Sequence, residues 1–229
     1  LGGNMSKGYA INDSGMVVGE SINIYGNTSG FTYDPASGAM YELGTLGGTT
    51  SRANGINDDF VMVGQATTAA MEQRAFVIRG SGKEDLNNLI PAGTITLSTA
   101  HAINNLGQIV ASGVDSSTGK TRVYLLTPPP DTSAPVIDGV YASPNLFAIG
   151  DTPEILVMAS DNRGVAQVLV DGVPLSSYDH RYWTGRLTVT QPLGIKNITI
   201  SVSDHAGNVT TDTSLVYEVA RVVFIVAKN

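Results

Sequence analysis

One stretch of the sequence decides how the chain is organised, namely Tyr9–Gly19, which reads YAINDSGMVVG. The same pattern returns at Asn54–Gly64 as NGINDDFVMVG and at His101–Ala111 as HAINNLGQIVA. The asparagine of the pattern recurs after 45 and then 47 residues, at Asn12, Asn57 and Asn104. A fixed period of this length is typical of repeat proteins, in which each unit is one supersecondary motif.

Outward from this stretch, each repeat has up to four short segments with the composition of β-strands. In the first repeat they lie near Tyr9–Ile11, Met16–Glu20, Gly30–Tyr33 and Met40–Leu43. The run from Asn12 to Gly15 is a turn signal, and we predict that the repeated asparagine caps it with its side-chain amide. We also predict essentially no helix in residues 1–127. The isoleucine before the turn should be buried in each repeat, at Ile11, Ile56 and Ile103.

The repeats occupy about 1–45, 46–91 and 92–127, and four strands per unit of this length fit a propeller blade. Three blades are too few for a closed ring, since propellers typically have about four to eight. Three arrangements remain open: upstream blades were removed, the units stack in an open array, or another chain completes the ring. The chain begins at Leu1 and not at Met, so we expect a processed product or a fragment.

Residues 1–127 resemble the HAF repeat family of predicted extracellular bacterial proteins. The family pattern is matched at Leu43–Gly48, Ser51–Asn57, Val61–Gly64 and Ala75–Phe76. The third unit departs from it, with Ala111 in place of the closing glycine and Tyr124 in place of phenylalanine, as expected of a terminal capping repeat. The resemblance implies export and blade-like repeats, and it supplies no catalytic residue.

A second domain follows a stiff, proline-rich linker at residues 128–135, which contains three successive prolines. Residues 136–229 contain several short strand-like segments separated by turn signals such as Asp161–Gly164 and Asp171-Gly172. This pattern favours a two-sheet sandwich. The chain as a whole is therefore predicted to be all-β.

The second domain resembles bacterial immunoglobulin-like domains over residues 131–219. The resemblance rests on four segments: Asp131–Val136, Ser160–Val165, Val170–Gly172 and Asp204–Asn208. Such domains commonly act as spacers in surface and secreted proteins, which is the role that the resemblance implies. The cysteine pair of antibody-type domains is absent.

Composition excludes several classes of function. The net charge is −7, with 13 basic and 20 acidic residues, and no basic stripe is present, so nucleic acid is not an expected partner. The absence of cysteine excludes disulfides, thiolate metal sites and a cysteine nucleophile. No apolar run approaches the roughly 20 residues of a membrane-spanning helix.

The search for catalytic chemistry gives no candidate. The three histidines, His101, His180 and His205, lack the spacing of metal ligands. The run Gly80–Glu84 resembles a phosphate-binding loop but has Glu84 where that motif needs serine or threonine. We therefore predict no enzymatic activity, no catalytic residues and no organic cofactor.

Calcium is the one cofactor for which residues can be named. Asp161, Asp204 and Asn208 lie in predicted turns and offer hard oxygen ligands, although they fall short of the 6–8 ligands that calcium takes. A second possible site is Trp183 with Tyr178 and Tyr182, which would form a sugar-stacking platform or, alternatively, a core tryptophan with edge tyrosines.

The C-terminal segment suggests self-association. Five successive residues are apolar, at Val222, Val223, Phe224, Ile225 and Val226. This pattern suits a strand buried on both faces, and pairing with a neighbouring subunit by strand addition would bury it. The alternatives are a strand that enters a further domain and one that folds back onto its own sandwich.

These observations favour a non-catalytic structural or interaction protein, extracellular or at the cell surface, and a possible subunit of an adhesive assembly or filament. Its expected partners are further copies of itself or other cell-surface proteins. Two alternatives are a glycan- or ligand-binding module and a non-catalytic fragment of a larger secreted enzyme.

Overall fold

The computed structural model describes residues 1–143, 146–177, 179–189 and 193–220. These ranges are all-β apart from one 3₁₀ turn at Leu86–Asn88, which confirms the predicted fold class at this level. They contain no helix of the length and apolar character needed to cross a membrane. The chain divides into two compact units, Leu1–Pro129 and Pro130–Asn229.

The first unit consists of three antiparallel sheets, one for each repeat. The first sheet contains β1 (Gly2–Ile11), β2 (Val17–Asn23), β3 (Thr28–Asp34) and β4 (Ala39–Glu42). The second sheet contains β5 (Gly47–Ile56), β6 (Met62–Thr68), β7 (Gln73–Arg79) and β8 (Gly82–Asp85). The third sheet contains β9 (Ile95–Ile103), β10 (Ile109–Asp115) and β11 (Lys120–Leu126). Strands that follow one another in sequence are neighbours in every sheet.

The first sheet differs from the sequence prediction in where its first strand begins. The first strand begins at Gly2 and not near Tyr9. Bulges in β1 allow it to stay paired with β2 over the whole length of β2, up to the pair Gly2–Asn23. The third sheet has three strands, so β11 has no partner on its outer edge among the described residues.

The predicted cap is confirmed in each repeat: the backbone N–H of Met16, Val61 or Gln108 donates to the repeated asparagine's Oδ1 at 2.9 Å.

Two apolar cores hold the three sheets face to face. Between the first and second sheets, Val18 packs with Ala53, Ile56 and Phe76. Between the second and third sheets, the core consists chiefly of Val63, Ala75, Val77, Leu86, Leu97, Ala100, Ile109 and Ala111. Full burial of each larger side chain is worth about 1.5–3 kcal/mol, so these two layers dominate the stability of the unit.

The predicted burial of the repeated isoleucines is wrong for the first of them. Ile56 is 7% exposed and lies in the core between the first and second sheets. Ile103 is half-buried against the next core, whereas Ile11 is 66% exposed. The isoleucine packs on the preceding sheet, and within the described residues no sheet precedes the first.

In its described residues the second unit has eleven strands in three sheets around one core. In chain order they are β12 (Val136–Ser143), β13 (Leu146–Ala148), β14 (Glu154–Ser160), β15 (Val165–Val170), β16 (Val173–Pro174), β17 (Ser176–Ser177), β18 (Tyr182–Arg186), β19 (Gly194–Asn197), β20 (Ile200–Asp204), β21 (Val209–Asp212) and β22 (Val216–Ala220). The sheet orders are β12-β14-β18-β17, β13-β22-β19 and β16-β15-β20-β21, and the β13–β22 pair is parallel. All three sheets contribute to the core, through residues such as Val157, Val168 and Val219.

Two sequence predictions concern residues outside the described ranges. These are the self-association segment Val222–Val226 and the tyrosine Tyr178 of the possible sugar platform. Both stay predictions.

Candidate metal centre

Three aspartates of the second unit meet at one point. Asp131 precedes β12, Asp161 directly follows β14, and Asp204 is the last residue of β20. One carboxylate oxygen from each lies within 4.8 Å of the other two. In the described ranges this is the one group of three or more acidic or histidine side chains close enough to share a metal ion.

Local turn chemistry holds two of these side chains in place. Asp131 Oδ1 accepts a hydrogen bond from the backbone N–H of Ser133 at 3.1 Å, and Asp161 Oδ1 accepts one from that of Arg163 at 2.7 Å. Both are Asx turns, in which an aspartate binds its own backbone two residues further on. In each residue this leaves the second oxygen, Oδ2, available to the cluster.

Asn208 holds the third side chain. Its backbone N–H donates to Asp204 Oδ1 at 2.9 Å, and its Nδ2 donates to Asp204 Oδ2 at 2.7 Å. The same Nδ2 lies 3.3 Å from the backbone carbonyl of Asp131. Asn208 therefore connects the turn after β20 to the segment that leads into the unit.

Asp204 is buried, Asp131 and Asp161 are half-buried, and the cluster is short of positive charge. The side chain of Asp131 is 5% exposed and Asp204 is 4% exposed. Asp131 Oδ2 and Asp161 Oδ2 are buried and, within the described residues, have no hydrogen-bond partner. Arg163 Nε lies 3.8 Å from Asp131 Oδ2, which is too long for a hydrogen bond. Burial raises the pKa of Asp161, and the charges of Asp131 and Asp204 raise it further.

The donor set fits a hard cation. Calcium takes 6–8 oxygens at about 2.3–2.6 Å, so two of its ligands can lie up to about 5 Å apart, a range that includes the spacing of these oxygens. Zinc favours nitrogen and sulfur ligands, and the cluster offers oxygen alone. Three carboxylates supply part of a calcium shell, and the remaining ligands would be backbone carbonyls or water.

Sequence reasoning found most of this cluster but missed one member. Asp161, Asp204 and Asn208 were calcium candidates, and the structure brings them together. Asp131 falls in the segment interpreted as the proline-rich linker. A signal is present in three of the four segments that resemble immunoglobulin-like turns, where an aspartate is followed two to four residues later by a turn residue: Asp131–Val136, Ser160–Val165 and Asp204–Asn208.

The possible sugar platform does not form around Trp183. The Trp183 side chain belongs to the core and the residue is 5% exposed, with its ring edge-on to His180 at a centroid distance of 5.8 Å. Its faces are therefore closed to a ligand. Tyr182 is at the surface, 42% exposed.

The other chemical groups have structural contacts. His101 Nε2 lies 2.9 Å from Ser112 Oγ, and His180 Nδ1 lies 3.2 Å from the carbonyl of Val165. Lys83 Nζ donates to the carbonyl of Gly44 at 2.6 Å, and burial lowers its pKa to about 8. This lysine thus connects β8 to the segment that leads into the second sheet.

Glu20 lines a polar depression between the first and second sheets, although it is only 2% exposed. Its carboxylate accepts hydrogen bonds from Tyr9 Oη at 2.8 Å and from Arg52 Nε at 2.6 Å. Lys7 Nζ lies 3.6 Å away. These contacts occupy the carboxylate, so we interpret Glu20 as a buried link between two sheets.

No protein-family model matches the chain, and no curated protein matches it.

Proposed function

We propose that this chain is a non-catalytic structural or interaction protein of the extracellular space or cell surface, whose second unit binds one calcium ion. Asp131, Asp161 and Asp204 are the side-chain ligands. Two observations carry the proposal: one carboxylate oxygen of each aspartate lies within 4.8 Å of the other two, and Asp131 Oδ2 and Asp161 Oδ2 are buried without hydrogen-bond partners among the described residues.

Charge supports a divalent cation at this point. Buried carboxylates are costly unless they are paired or bind a metal. One arginine at 3.8 Å does not balance three carboxylates. A calcium ion bound by these carboxylates would supply the missing positive charge. It would also give Asp131 Oδ2 and Asp161 Oδ2 a partner in place of the hydrogen bonds that they lack among the described residues.

Asn208 gives the cluster a fourth oxygen. A half-turn of its side-chain amide exchanges Nδ2 for Oδ1 next to Asp204. With a metal bound, the amide oxygen in that position becomes a ligand instead of facing a carboxylate. The amide can thus donate to Asp204 when no metal is bound and contribute its oxygen when calcium is bound.

A structural role for the ion follows from the positions of its ligands. Asp131 lies at the start of the second unit, and the other two ligands lie in turns after β14 and β20. Binding would fix the entering segment to two turns of the sandwich. Extracellular modules commonly bind calcium with Kd of about 10⁻⁴–10⁻³ M, which suits a protein outside the cell.

The finer fold assignments belong to the same proposal. The three sheets of the first unit are proposed to be blades of the HAF repeat type, and the second unit an immunoglobulin-like sandwich. The repeated hairpins and the turn segments support these assignments, as does the all-β character of both units.

The calcium site is tested by thermal unfolding and by calorimetric titration of the whole chain. Calcium at about 100 times Kd should stabilise the protein by about 2.7 kcal/mol, and chelator should reverse the effect. Asp161→Asn should abolish the response. The matched control is Asp212→Asn, because Asp212 Oδ1 also accepts a backbone N–H, that of Ser214 at 2.7 Å, but lies outside the cluster.

The proposal is wrong if the wild-type protein shows neither calorimetric heat nor a thermal shift with about 10 mM calcium, well above the Kd of extracellular modules. It is also wrong if Asp161→Asn, with its fold intact by circular dichroism, responds as strongly as Asp212→Asn. Magnesium serves as the comparison ion, since its smaller octahedral shell should give the weaker response.

A further inference from the structure

The same pair of hydrogen bonds joins the sheets of the first unit at both interfaces. Asn12 Nδ2 donates to the carbonyl of Asn57 at 3.2 Å, and Asn57 Nδ2 donates to that of Asn104, also at 3.2 Å. One residue on, the N–H of Asp13 donates to Asp58 Oδ1, and the N–H of Asp58 donates to Asn105 Oδ1. In these four bonds each sheet donates to the sheet that follows it, while Asn105 Nδ2 donates back to Asp58 Oδ2 at 2.6 Å.

The direction of these bonds leaves different groups at the two ends. The first sheet forms one end of the stack, the leading end, and its Asp13 side chain is exposed. The equivalent residue of the second sheet, Asp58, is 9% exposed and accepts a hydrogen bond from the first sheet. The third sheet forms the other end, the trailing end. Its Asn104 is exposed, and Asn104 Nδ2 donates to Gln108 Oε1 of its own sheet at 2.8 Å. The leading end thus offers acceptors and the trailing end offers donors.

The apolar side chains also differ in exposure between the inner interfaces and the ends of the stack. On the trailing face of the second sheet, Val63, Ala75 and Val77 are at most 1% exposed under the third sheet. The strand pairings Gly64–Phe76 and Ala111–Tyr124 place the equivalent residues of the third sheet at Val110, Val123 and Leu125. These three are 38%, 70% and 63% exposed.

The leading face shows the complementary change. Ile56 is 7% exposed because it packs on the first sheet, and its equivalent Ile11 is 66% exposed. The trailing end therefore presents three apolar residues whose equivalents are buried at the inner interface, and the leading end presents Ile11, whereas Phe31, the equivalent of Phe76, is only 3% exposed.

We propose that the first unit docks head to tail with a second copy of this chain. The trailing face of the third sheet of one copy, with Val110, Val123 and Leu125, packs on the leading face of the first sheet of the other, with Ile11 and Asp13. Asn104 Nδ2 of one copy donates to the Asn12 carbonyl of the next. The contact continues an interface that the chain already forms twice within itself.

This interface is heterologous, because two different faces meet. A heterologous contact closes a ring when the rotation between copies allows it and otherwise extends into a chain. In both cases each copy has one donor end and one acceptor end. The proposal is independent of the calcium site, which belongs to the second unit.

The experiment measures the mass of the full chain by light scattering after size exclusion, in chelator and at several concentrations up to about 100 µM, where an interface with Kd near 1 µM is almost fully occupied. The wild type should be larger than a monomer. Ile11→Glu, or Val123→Glu with Leu125→Glu, should weaken association about 100-fold or more, because each buries a charge in the contact. Ile195→Glu, at a 76% exposed position of the second unit, is the control and should associate like the wild type.

Mixing the two defective variants gives the sharpest result. Each retains one intact end, so the mixture should form a 1:1 complex although neither variant associates alone. All substituted positions are exposed, so the variants should keep the wild-type circular dichroism and melting temperature.

Three results would overturn the proposal. The first is a monomeric wild type at about 100 µM. The second is association that both end variants retain. The third is association that disappears when residues 221–229 are deleted while both end faces are intact, since that result would assign it to the C-terminal segment.

Discussion

At the scale of single residues, the repeated asparagine has two separate functions within one side chain. Asn57 Oδ1 accepts from the Val61 N–H and closes its own turn, while Nδ2 donates to the next sheet at Asn104. Asn57 is 4% exposed, whereas Asn104 is exposed at the end of the stack. The two residues therefore differ in the second function and share the first.

This difference gives a prediction for Asn57→Asp and Asn104→Asp. Aspartate keeps the Oδ1 cap but replaces the donor with a second acceptor. At position 57 a buried carboxylate oxygen would face the carbonyl of Asn104, so we expect a loss of about 1–3 kcal/mol of unfolding free energy. At position 104 the change should cost less than about 0.5 kcal/mol, as at most surface sites.

Urea unfolding of the dilute protein measures both variants. Equal losses for the two variants would show that the hydrogen bond between sheets contributes nothing to stability.

Glu20 gives a prediction for the dependence of stability on pH. Burial alone would raise its pKa, but the hydrogen bonds from Tyr9 and Arg52, with the charges of Arg52 and Lys7, outweigh burial and lower it. A carboxylate with a lowered folded pKa stabilises the protein above its unfolded pKa, and this contribution is lost as the pH falls through the folded value. Glu20→Gln should therefore reduce stability at neutral pH and flatten the acid limb.

Thermal unfolding from neutral pH down to about pH 3 tests this, because that range spans the unfolded pKa of glutamate. Glu84→Gln is the matched control, since it makes the same substitution at an exposed position of the same unit. If both variants have the same acid limb as the wild type, Glu20 does not couple to folding.

At the scale of strands, a bulge decides where glycine is required. Gly64 faces Ala53 directly after the irregularity in β5, and a Cβ on Gly64 would lie 2.0 Å from the carbonyl oxygen of Arg52. In the third sheet Ala111 occupies this position and is fully buried. In the pairing of β10 with β9 a second irregularity lies between Ser112 and Gly113. The close approach of the two backbones is therefore at Gly113, where a Cβ would lie 2.4 Å from the carbonyl oxygen of Thr96.

We therefore expect Gly64→Ala to cost more than about 2 kcal/mol of unfolding free energy, because the backbone of two paired strands must separate. Gly93→Ala is the control: its Cβ would meet nothing nearer than 3.9 Å, so a change within about 0.5 kcal/mol is expected. Urea unfolding compares the two variants, and a similar cost for both would contradict a close approach at Gly64.

The turns and strands show what the sequence can predict at this scale. The capping asparagine and the hairpins follow from local residue types, and both were predicted. The bulges were not, because glycine and alanine at positions 64 and 111 give no sign of which partner residue is skipped.

At the scale of the whole molecule, burial depends on what lies next to a sheet and not on the repeat itself. Ile11 and Ile56 occupy the same strand position, yet the structure buries only the second. Periodicity in the sequence treats them as equal, so this error could not be avoided from the pattern alone. Asp131 was missed for a related reason: its two partner aspartates are distant in sequence and meet it through the fold.

The asparagine hydrogen bonds between sheets also bear on how such a protein changes length. Every inner unit carries both halves of the contact, a donor for the following unit and an acceptor for the preceding one. Duplication of one such unit in the gene would therefore insert a sheet that fits its neighbours on both sides without any compensating substitution. Deletion of the second sheet would keep the asparagine contact but would leave the buried Glu20 carboxylate without Arg52, so units can be added to such a stack more readily than they can be removed.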